Sequence, residues 1–129
     1  MDQGDAIEEL RVTPDKYLPH RYAGASGDFN PIHIDPEFAQ QVGLPRNILH
    51  GLYSMAQVAL ANNAAAGGDP RKLKRLSVQF RGMGFPETEM VVTGTVKEVR
   101  DGRAVIDTVA TQDGNQIIRN AEAEVELEG

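Results

Sequence analysis

Residues 50–66 read HGLYSMAQVALANNAAA, a pattern that predicts one long helix. Gly67-Gly68-Asp69-Pro70 follows directly and ends it. The many alanines indicate that other parts of the chain approach this helix closely. Apolar residues recur at helical spacing on one face: Leu52, Met55, Ala56, Ala59 and Leu60. We expect four larger side chains of this helix to belong to the core rather than to an acyl pocket, although Met55 could serve both: Leu52, Met55, Val58 and Leu60.

The chain after residue 70 predicts antiparallel strands joined by tight turns. Alternating residues 76–80 and the Val- and Thr-rich residues 89–99 are typical of strands. Asp101-Gly102 and Asp113-Gly114-Asn115 indicate hairpin turns. In the last strand one face is packed and the other is wet: Ala121, Ala123, Val125 and Leu127 alternate with Glu122, Glu124, Glu126 and Glu128. A long helix followed by antiparallel strands predicts an α+β fold with the helix packed against the sheet.

Shorter elements are expected before the long helix. Residues 7–12 are a candidate strand, and Thr13-Pro14-Asp15 has the residues that start a helix, which would run toward Gly27. Residues 26–34 are rich in turn formers and predict an ordered loop. Asp35-Pro36-Glu37 repeats the capping pattern and predicts a helix that ends near Gly43.

Composition narrows the class of protein. The length of 129 residues predicts one domain, residues 1–129, and a net charge of −6 argues against a general nucleic-acid binder. The absence of cysteine excludes disulfides, thiolate catalysis and cysteine-based zinc sites. Residues 1–5 are acidic and unlike a secretory signal, and no segment approaches the roughly 20 apolar residues of a membrane span. We therefore expect a cytoplasmic protein without a membrane partner.

Residues 22–33, YAGASGDFNPIH, bring a carboxylate, an amide and an imidazole onto one short stretch. Pro31 fixes its own φ and pushes Asn30 toward an extended conformation, which favours a defined geometry. If Asp28 and His33 are held together, they can grip one water, orient it and move its protons near neutral pH. Each residue alone would more often bond only to nearby backbone or simply pack.

A second signal, His50-Gly51, lies at the start of the long helix. The first amides of a helix lack internal partners and lie at the positive end of its dipole. Because Gly51 has no side chain, a ligand oxygen can approach its N–H closely and be polarised there. The alternative is that Gly51 only relieves crowding where the helix packs.

Together these motifs resemble the signature of the MaoC-like, (R)-specific enoyl-CoA hydratase and dehydratase family. The resemblance is carried by Ser26-Gly27-Asp28-Phe29-Asn30-Pro31-Ile32-His33, Gly43-Leu44 and His50-Gly51-Leu52, and it extends through Ala39 and residues 77–81. It implies a single hot-dog domain, in which an antiparallel β-sheet wraps a long central helix. It also implies a homodimer or higher homo-oligomer, with a hetero-oligomer as the alternative.

The resemblance also implies a reaction and a site. Asp28 and His33 would hold the catalytic water, and the N–H of Gly51 would supply the oxyanion hole. Supporting positions are Asn30, which would fix the loop and the water, Ser26 and His50. The implied reaction is the reversible hydration of a trans-2-enoyl thioester, carried by coenzyme A or an acyl carrier protein, to the (R)-3-hydroxyacyl thioester. No cofactor or metal is implied, because coenzyme A is part of the substrate.

Three residues are candidates for substrate binding. Lys74 and Arg75 belong to a dense basic run, residues 71–75, that could meet the phosphates of a carrier, although a solvated lead-in to a strand is the alternative. Tyr53 stands where small or apolar residues are common in relatives, so it is a candidate for the acyl pocket. The glycine-rich residues 82–86 predict a bulge at a strand end.

Several alternatives remain open at this point. A hot-dog thioesterase would cleave the thioester instead of adding water to the alkene, and a non-catalytic subunit would act only within a hetero-oligomer. The Asp-x-Asn-Pro-x-His loop suits water addition to an alkene, which favours a hydratase over a thioesterase. The intact acid–base pair argues against a non-catalytic subunit. Acyl-chain length, carrier, pathway and direction stay undetermined, as does the residue that acts as base, since the pair titrates as a unit.

Overall fold

The computed structural model describes residues 1–127 and contains a five-stranded sheet in the order β1-β3-β4-β5-β2, antiparallel at every pairing. The strands are β1 (Leu10–Val12), β2 (Leu73–Phe80), β3 (Met90–Arg100), β4 (Arg103–Gln112) and β5 (Asn115–Glu126). The helices are α1 (Leu18–Ser26), α2 (Pro31–Ile34), α3 (Pro36–Gln41) and α4 (Gly51–Ala65), with a 3-10 turn at Pro70–Lys72. Helix α4 packs against strands β2 to β5, which confirms the α+β prediction.

Both predicted hairpin turns are present and set the register of the three long strands. Asp101 and Gly102 have φ angles of 54° and 75°, and Asp113 and Gly114 have 49° and 76°. Two consecutive positive φ values define the turn whose twist matches that of the flanking strands. The register of β3 on β4 and of β4 on β5 therefore follows from local sequence.

The face of α4 that meets the sheet differs from the predicted one. Val58 is buried as expected, but Leu52 and Leu60 are 63% and 55% exposed and Met55 is only half-buried. The buried side chains of α4 are Tyr53, Ser54, Val58, Ala61 and Asn62. The prediction failed because α4 carries apolar residues all around its circumference, so their spacing does not select one face.

A buried polar pair explains how a face with an asparagine can lie against the sheet. Asn62, which is fully buried, donates from Nδ2 to the Val58 carbonyl at 2.9 Å and to Thr108 Oγ1 at 3.1 Å. The Thr108 hydroxyl donates in return to Asn62 Oδ1 at 3.3 Å. Buried polar groups destabilise a fold when they lack hydrogen-bond partners. Because Asn62 and Thr108 bond to each other, both are tolerated in the core, and their contact fixes the register of α4 on β4.

The N-terminal third also differs from its prediction at two places. Helix α1 begins at Leu18 with Pro19 in its first turn, whereas Pro14 is buried ahead of the helix and its carbonyl accepts from Glu87 N. Thr13-Pro14 therefore does not start this helix, although Gly27 ends it with a left-handed φ of 79°. The predicted loop 26–34 contains the short helix α2.

Smaller differences concern the strands and the second half of the chain. Strand β1 covers only the end of predicted residues 7–12, while Ala6 bridges to Thr95. Residues 82–86 lie in the loop between β2 and β3 instead of a bulge. The predicted outward-facing Glu128 lies outside the described residues. Within residues 1–127 no helix has the length and apolarity to cross a membrane.

We expect the Asn62–Thr108 contact to be energetically coupled. Asn62→Ala or Thr108→Val alone leaves a buried polar group unpaired and should each destabilise the protein by about 1–3 kcal/mol. The double variant removes both groups, so its loss should be smaller than the sum of the single losses. Denaturant unfolding of the four proteins measures the coupling, and strictly additive losses would contradict it.

Candidate active site

Asp28 is held where α1 ends and the chain turns toward α2. Ser26 Oγ donates to the Tyr22 carbonyl at 2.8 Å and accepts from Asp28 N at 3.2 Å. The backbone N–H of Asn30 donates to Asp28 Oδ1 at 3.2 Å. One carboxylate oxygen is thus engaged by the loop itself, and the exposed side chain keeps Oδ2 available for another partner.

His33 is placed by α2, a helix of one turn. Asn30 caps this helix, because its Oδ1 accepts from Ile32 N at 3.2 Å, and Pro31 occupies the first turn. Asn30 therefore supports the loop by capping. The His33 side chain is directed inward and the residue is only 9% exposed.

The hydrogen bonds of His33 determine which ring nitrogen faces Asp28. His33 Nδ1 lies 2.9 Å from the carbonyl oxygen of Ile48, and a carbonyl can only accept, so Nδ1 carries the proton. His33 Nε2 lies 3.8 Å from Asp28 Oδ2, which is too long for a direct hydrogen bond. That separation suits a water that bonds to both atoms.

His50 connects this pair to the long helix. It precedes α4 as its N-cap residue, is 2% exposed, and its Nε2 lies 3.0 Å from the Asp28 carbonyl oxygen, to which it donates. Its ring stacks on that of His33 with centroids 4.0 Å apart, and Tyr22 packs on it at 4.7 Å. Among residues 1–127 nothing bonds to His50 Nδ1. His50 thus supports the loop backbone.

Gly51 is the first residue of α4, next to His50. No side chain in the described part of the structure caps this end of the helix, so the first N–H groups are open to a ligand. A Cβ at Gly51 would lie 3.2 Å from the ring of Phe80, a side chain that is 55% exposed and can shift. Relief of crowding is therefore a weak requirement for glycine at this position.

Asp28, His33 and His50 also offer three potential metal ligands, whose donor atoms lie within 4.8 Å of one another. The two imidazole planes are nearly parallel, at 21°, and stacked. A metal bonds along lone pairs that lie in the ring planes, so one ion cannot readily serve both stacked rings. This stacked arrangement disfavours one metal ion shared by both histidines.

The remaining predicted residues do not join this cluster within one chain. Lys74 and Arg75 lie at the far end of β2 from Phe80, about 17–20 Å away along an extended strand. Their side chains face Glu126 at 3.6 Å and Glu122 at 3.9 Å. Tyr53 is 7% exposed and packs edge-on against Tyr22 in the core, where burial raises the pKa of its phenol.

One segment that shapes the site, residues 46–49, was not predicted from the sequence. Ile48 donates its N–H to the Ile32 carbonyl at 2.9 Å and accepts from His33 Nδ1. Asn47 is buried and donates from Nδ2 to the His33 carbonyl at 2.8 Å. Only the position of this segment directly before His50-Gly51 hints at its role.

The hydrogen bonds predict opposite ring tautomers for the histidines. In neutral imidazoles, His33 should carry its proton on Nδ1, whereas His20 and His50 should carry theirs on Nε2, because each donates to a carbonyl through that atom. Nitrogen-15 NMR of labelled imidazoles distinguishes the two forms, and His20 is an internal reference. Protonation of His33 on Nε2 would contradict the arrangement.

Comparisons with known proteins point to one family. The family model described as MaoC like domain matches residues 3–116. The fatty acid synthase subunit beta of Schizosaccharomyces pombe is 35% identical over 98% of this chain, and the peroxisomal enoyl-CoA hydratase 2 of Arabidopsis thaliana is 38% identical over 64% of it. The solved (R)-hydratase from A. caviae involved in PHA biosynthesis superposes with a TM-score of 0.84 at 25% identity, covering 99% of this chain.

The chain is much shorter than two of these proteins and nearly as long as the third. The chain spans 6% of the synthase subunit and 26% of the plant hydratase. It spans 98% of the bacterial (R)-hydratase chain.

Proposed function

The chain belongs to the family of MaoC-like dehydratase domains, and from this we propose that it reversibly hydrates a trans-2-enoyl thioester to the (R)-3-hydroxyacyl thioester. The family and its hot-dog fold are those that the sequence motifs predict. Hydratase or dehydratase chemistry is the activity of the family. The choice of an acyl-CoA-type enoyl thioester and the (R) product are our proposal.

The observation that carries the proposal is the 3.8 Å separation of Asp28 Oδ2 and His33 Nε2. Both atoms are hydrogen-bond acceptors when the carboxylate is ionised and the imidazole has the tautomer set by Ile48. A water between them donates one hydrogen to each and directs an oxygen lone pair outward. This is the arrangement that addition of water to an electron-poor alkene needs.

In the proposed reaction, the water oxygen forms a bond to the β carbon while the Asp28–His33 pair takes up its proton. The π electrons of the alkene move toward the thioester, whose oxygen gains negative charge beside the Gly51 N–H. A proton then passes from the pair to the α carbon, so that H and OH are added overall. Dehydration is the reverse of these steps, and the pair acts as one acid–base unit in both directions.

We propose that residues 1–129 form one MaoC-like hot-dog hydratase domain. The support is that the (R)-hydratase from A. caviae has nearly the same extent as this chain. The much longer synthase subunit and plant hydratase match this chain over a small part of their own length. The proposed substrate is carried by coenzyme A or an acyl carrier protein, and no cofactor takes part.

The proposal predicts a specific pattern of activity loss. With crotonyl-CoA, the wild-type protein should remove the enoyl-thioester absorbance, and Asp28→Asn or His33→Ala should each lower kcat by about 10²–10⁴-fold, the usual contribution of a positioned acid or base. The matched control is Asp113→Asn, which makes the same chemical change in a hairpin turn that accepts asparagine. It should retain wild-type activity.

A parallel assay separates hydration from thioester cleavage. A thiol reagent is added to the same protein with crotonyl-CoA and with the saturated butyryl-CoA. Release of free thiol from either substrate, without loss of the alkene in the first, would identify a thioesterase and contradict the proposal. Absence of turnover with short, long and ring-bearing enoyl thioesters would also contradict it.

We further propose that the chain forms a homodimer or higher homo-oligomer. Leu52, Leu60 and Phe80 are 63%, 55% and 55% exposed, and Leu52 and Phe80 adjoin Gly51 at the open end of the site. Exposed apolar side chains that lie together, as Leu52 and Phe80 do beside Gly51, are typical of surfaces that meet another chain. Light scattering should give a mass at least twice the 14.0 kDa of one chain. A monomer that is inactive alone would support the hetero-oligomer instead.

A further inference from the structure

We infer that Asn47 is a positioning residue that fixes the His33 imidazole relative to Asp28. Its catalytic consequence rests on the proposed function, whereas its structural part does not. Asn47 lies in the 46–49 segment, between α3 and α4, and is 1% exposed. It touches no reacting atom and acts through the backbone of His33.

The orientation of the Asn47 amide is determined by its two neighbours. Its Nδ2 donates to the His33 carbonyl at 2.8 Å, and a carbonyl can only accept. Its Oδ1 faces the Arg46 guanidinium, which can only donate, at 3.4 Å from Nε and 3.5 Å from Nη2. Only one assignment of the amide satisfies both contacts, so the bond to His33 is chemically specified.

His33 needs such support because α2 is only four residues long. A single helical turn is not stable by itself and takes its geometry from contacts at its ends. Asn30 caps the first end. At the other end, the 46–49 segment holds His33 twice, since Asn47 binds its main-chain carbonyl and the Ile48 carbonyl binds its ring. Two contacts on one residue fix both its backbone and the direction of its imidazole.

The 46–49 segment can hold His33 in a fixed position because the segment is itself anchored, through a loop, to the sheet. Leu49 N donates to the Gly84 carbonyl at 2.8 Å. The loop that follows Gly84 is held by Gln112 of β4, whose buried side-chain amide bonds to Phe85 N, Phe85 O and Thr88 O at 2.8, 2.9 and 3.0 Å. These hydrogen bonds therefore connect the segment that holds His33 to strand β4 of the sheet.

An ion pair at the outer end of the segment contributes less. Arg46 Nη1 lies 3.1 Å from Glu87 Oε1, but both side chains are partly exposed. Exposed pairs of this kind add little to stability. Within the 46–49 segment, the side chain that contacts His33 is the buried amide of Asn47. Substitution of Asn47 is therefore the direct test of this contact.

Two substitutions test the inference from different sides. Asn47→Ala removes the amide, and Asn47→Asp keeps the shape and the oxygen facing Arg46 but replaces the donor by an acceptor that opposes the His33 carbonyl. Because a displacement of about 1 Å in a catalytic group can cost about 10²-fold in rate, we expect kcat to fall by roughly 10–100-fold in both. KM should change by less than about threefold, since Asn47 does not contact substrate.

The matched control is Asn62→Ala, which removes another fully buried asparagine whose Nδ2 also binds a main-chain carbonyl. It should lose stability at least as strongly, yet keep kcat within about twofold of the wild type. Equal losses of kcat in the Asn47 and Asn62 variants would show a merely structural role and overturn the inference. Unchanged kcat in both Asn47 variants would overturn it as well.

Nitrogen-15 NMR of His33 separates this inference from the proposed function. The wild type should show His33 protonated on Nδ1, and Asn47→Asp should shift His33 toward a mixture of tautomers because the ring no longer meets the Ile48 carbonyl squarely. The shift is expected even if the wild type hydrates no enoyl thioester, an outcome that would reject only the function. A His33 spectrum unaltered in Asn47→Asp would reject the positioning role, whatever the activity.

Discussion

The hydrogen bond from His33 Nδ1 to the Ile48 carbonyl is the interaction on which the site depends. By fixing the proton on one ring nitrogen, it leaves Nε2 as an acceptor directed toward Asp28. The acceptor itself is a main-chain atom, so no side-chain substitution at Ile48 removes it. What can change is the placement of the backbone, which depends on the neighbouring hydrogen bonds of the 46–49 segment.

His50 connects the Asp28–His33 pair to the long helix α4. The residue that begins α4 also stacks on His33 and binds the main chain of Asp28. The helix N-terminus therefore cannot move without moving the catalytic pair. In the proposed reaction, a site held in this way needs little rearrangement.

Local signals account for what the sequence predicted well. Asp28 and His33 lie five positions apart around a proline, and the two Asp-Gly turns need only their own φ angles, so these features follow from neighbouring residues. The inward face of α4 depends instead on which strand residue it meets, and Ser54 and Asn62 are buried only because the sheet offers them that place. The role of Asn47 is harder still to predict, because its hydrogen-bond partner His33 lies 14 positions earlier and no periodicity or motif links the two residues.

The distribution of charge in the chain affects the proposed reaction and the choice of substrate carrier in different ways. The protein has a net charge of −6, and Lys74 and Arg75 already face carboxylates across the sheet. The developing negative charge in the proposed reaction is therefore met by neutral main-chain donors at the start of α4, where a partial positive charge comes from the helix itself. In the proposed reaction these donors bind the thioester oxygen, which is common to coenzyme A and carrier-protein substrates. Selection between the two carriers must then reside in groups outside the catalytic cluster, where it can vary without disturbing the acid–base pair.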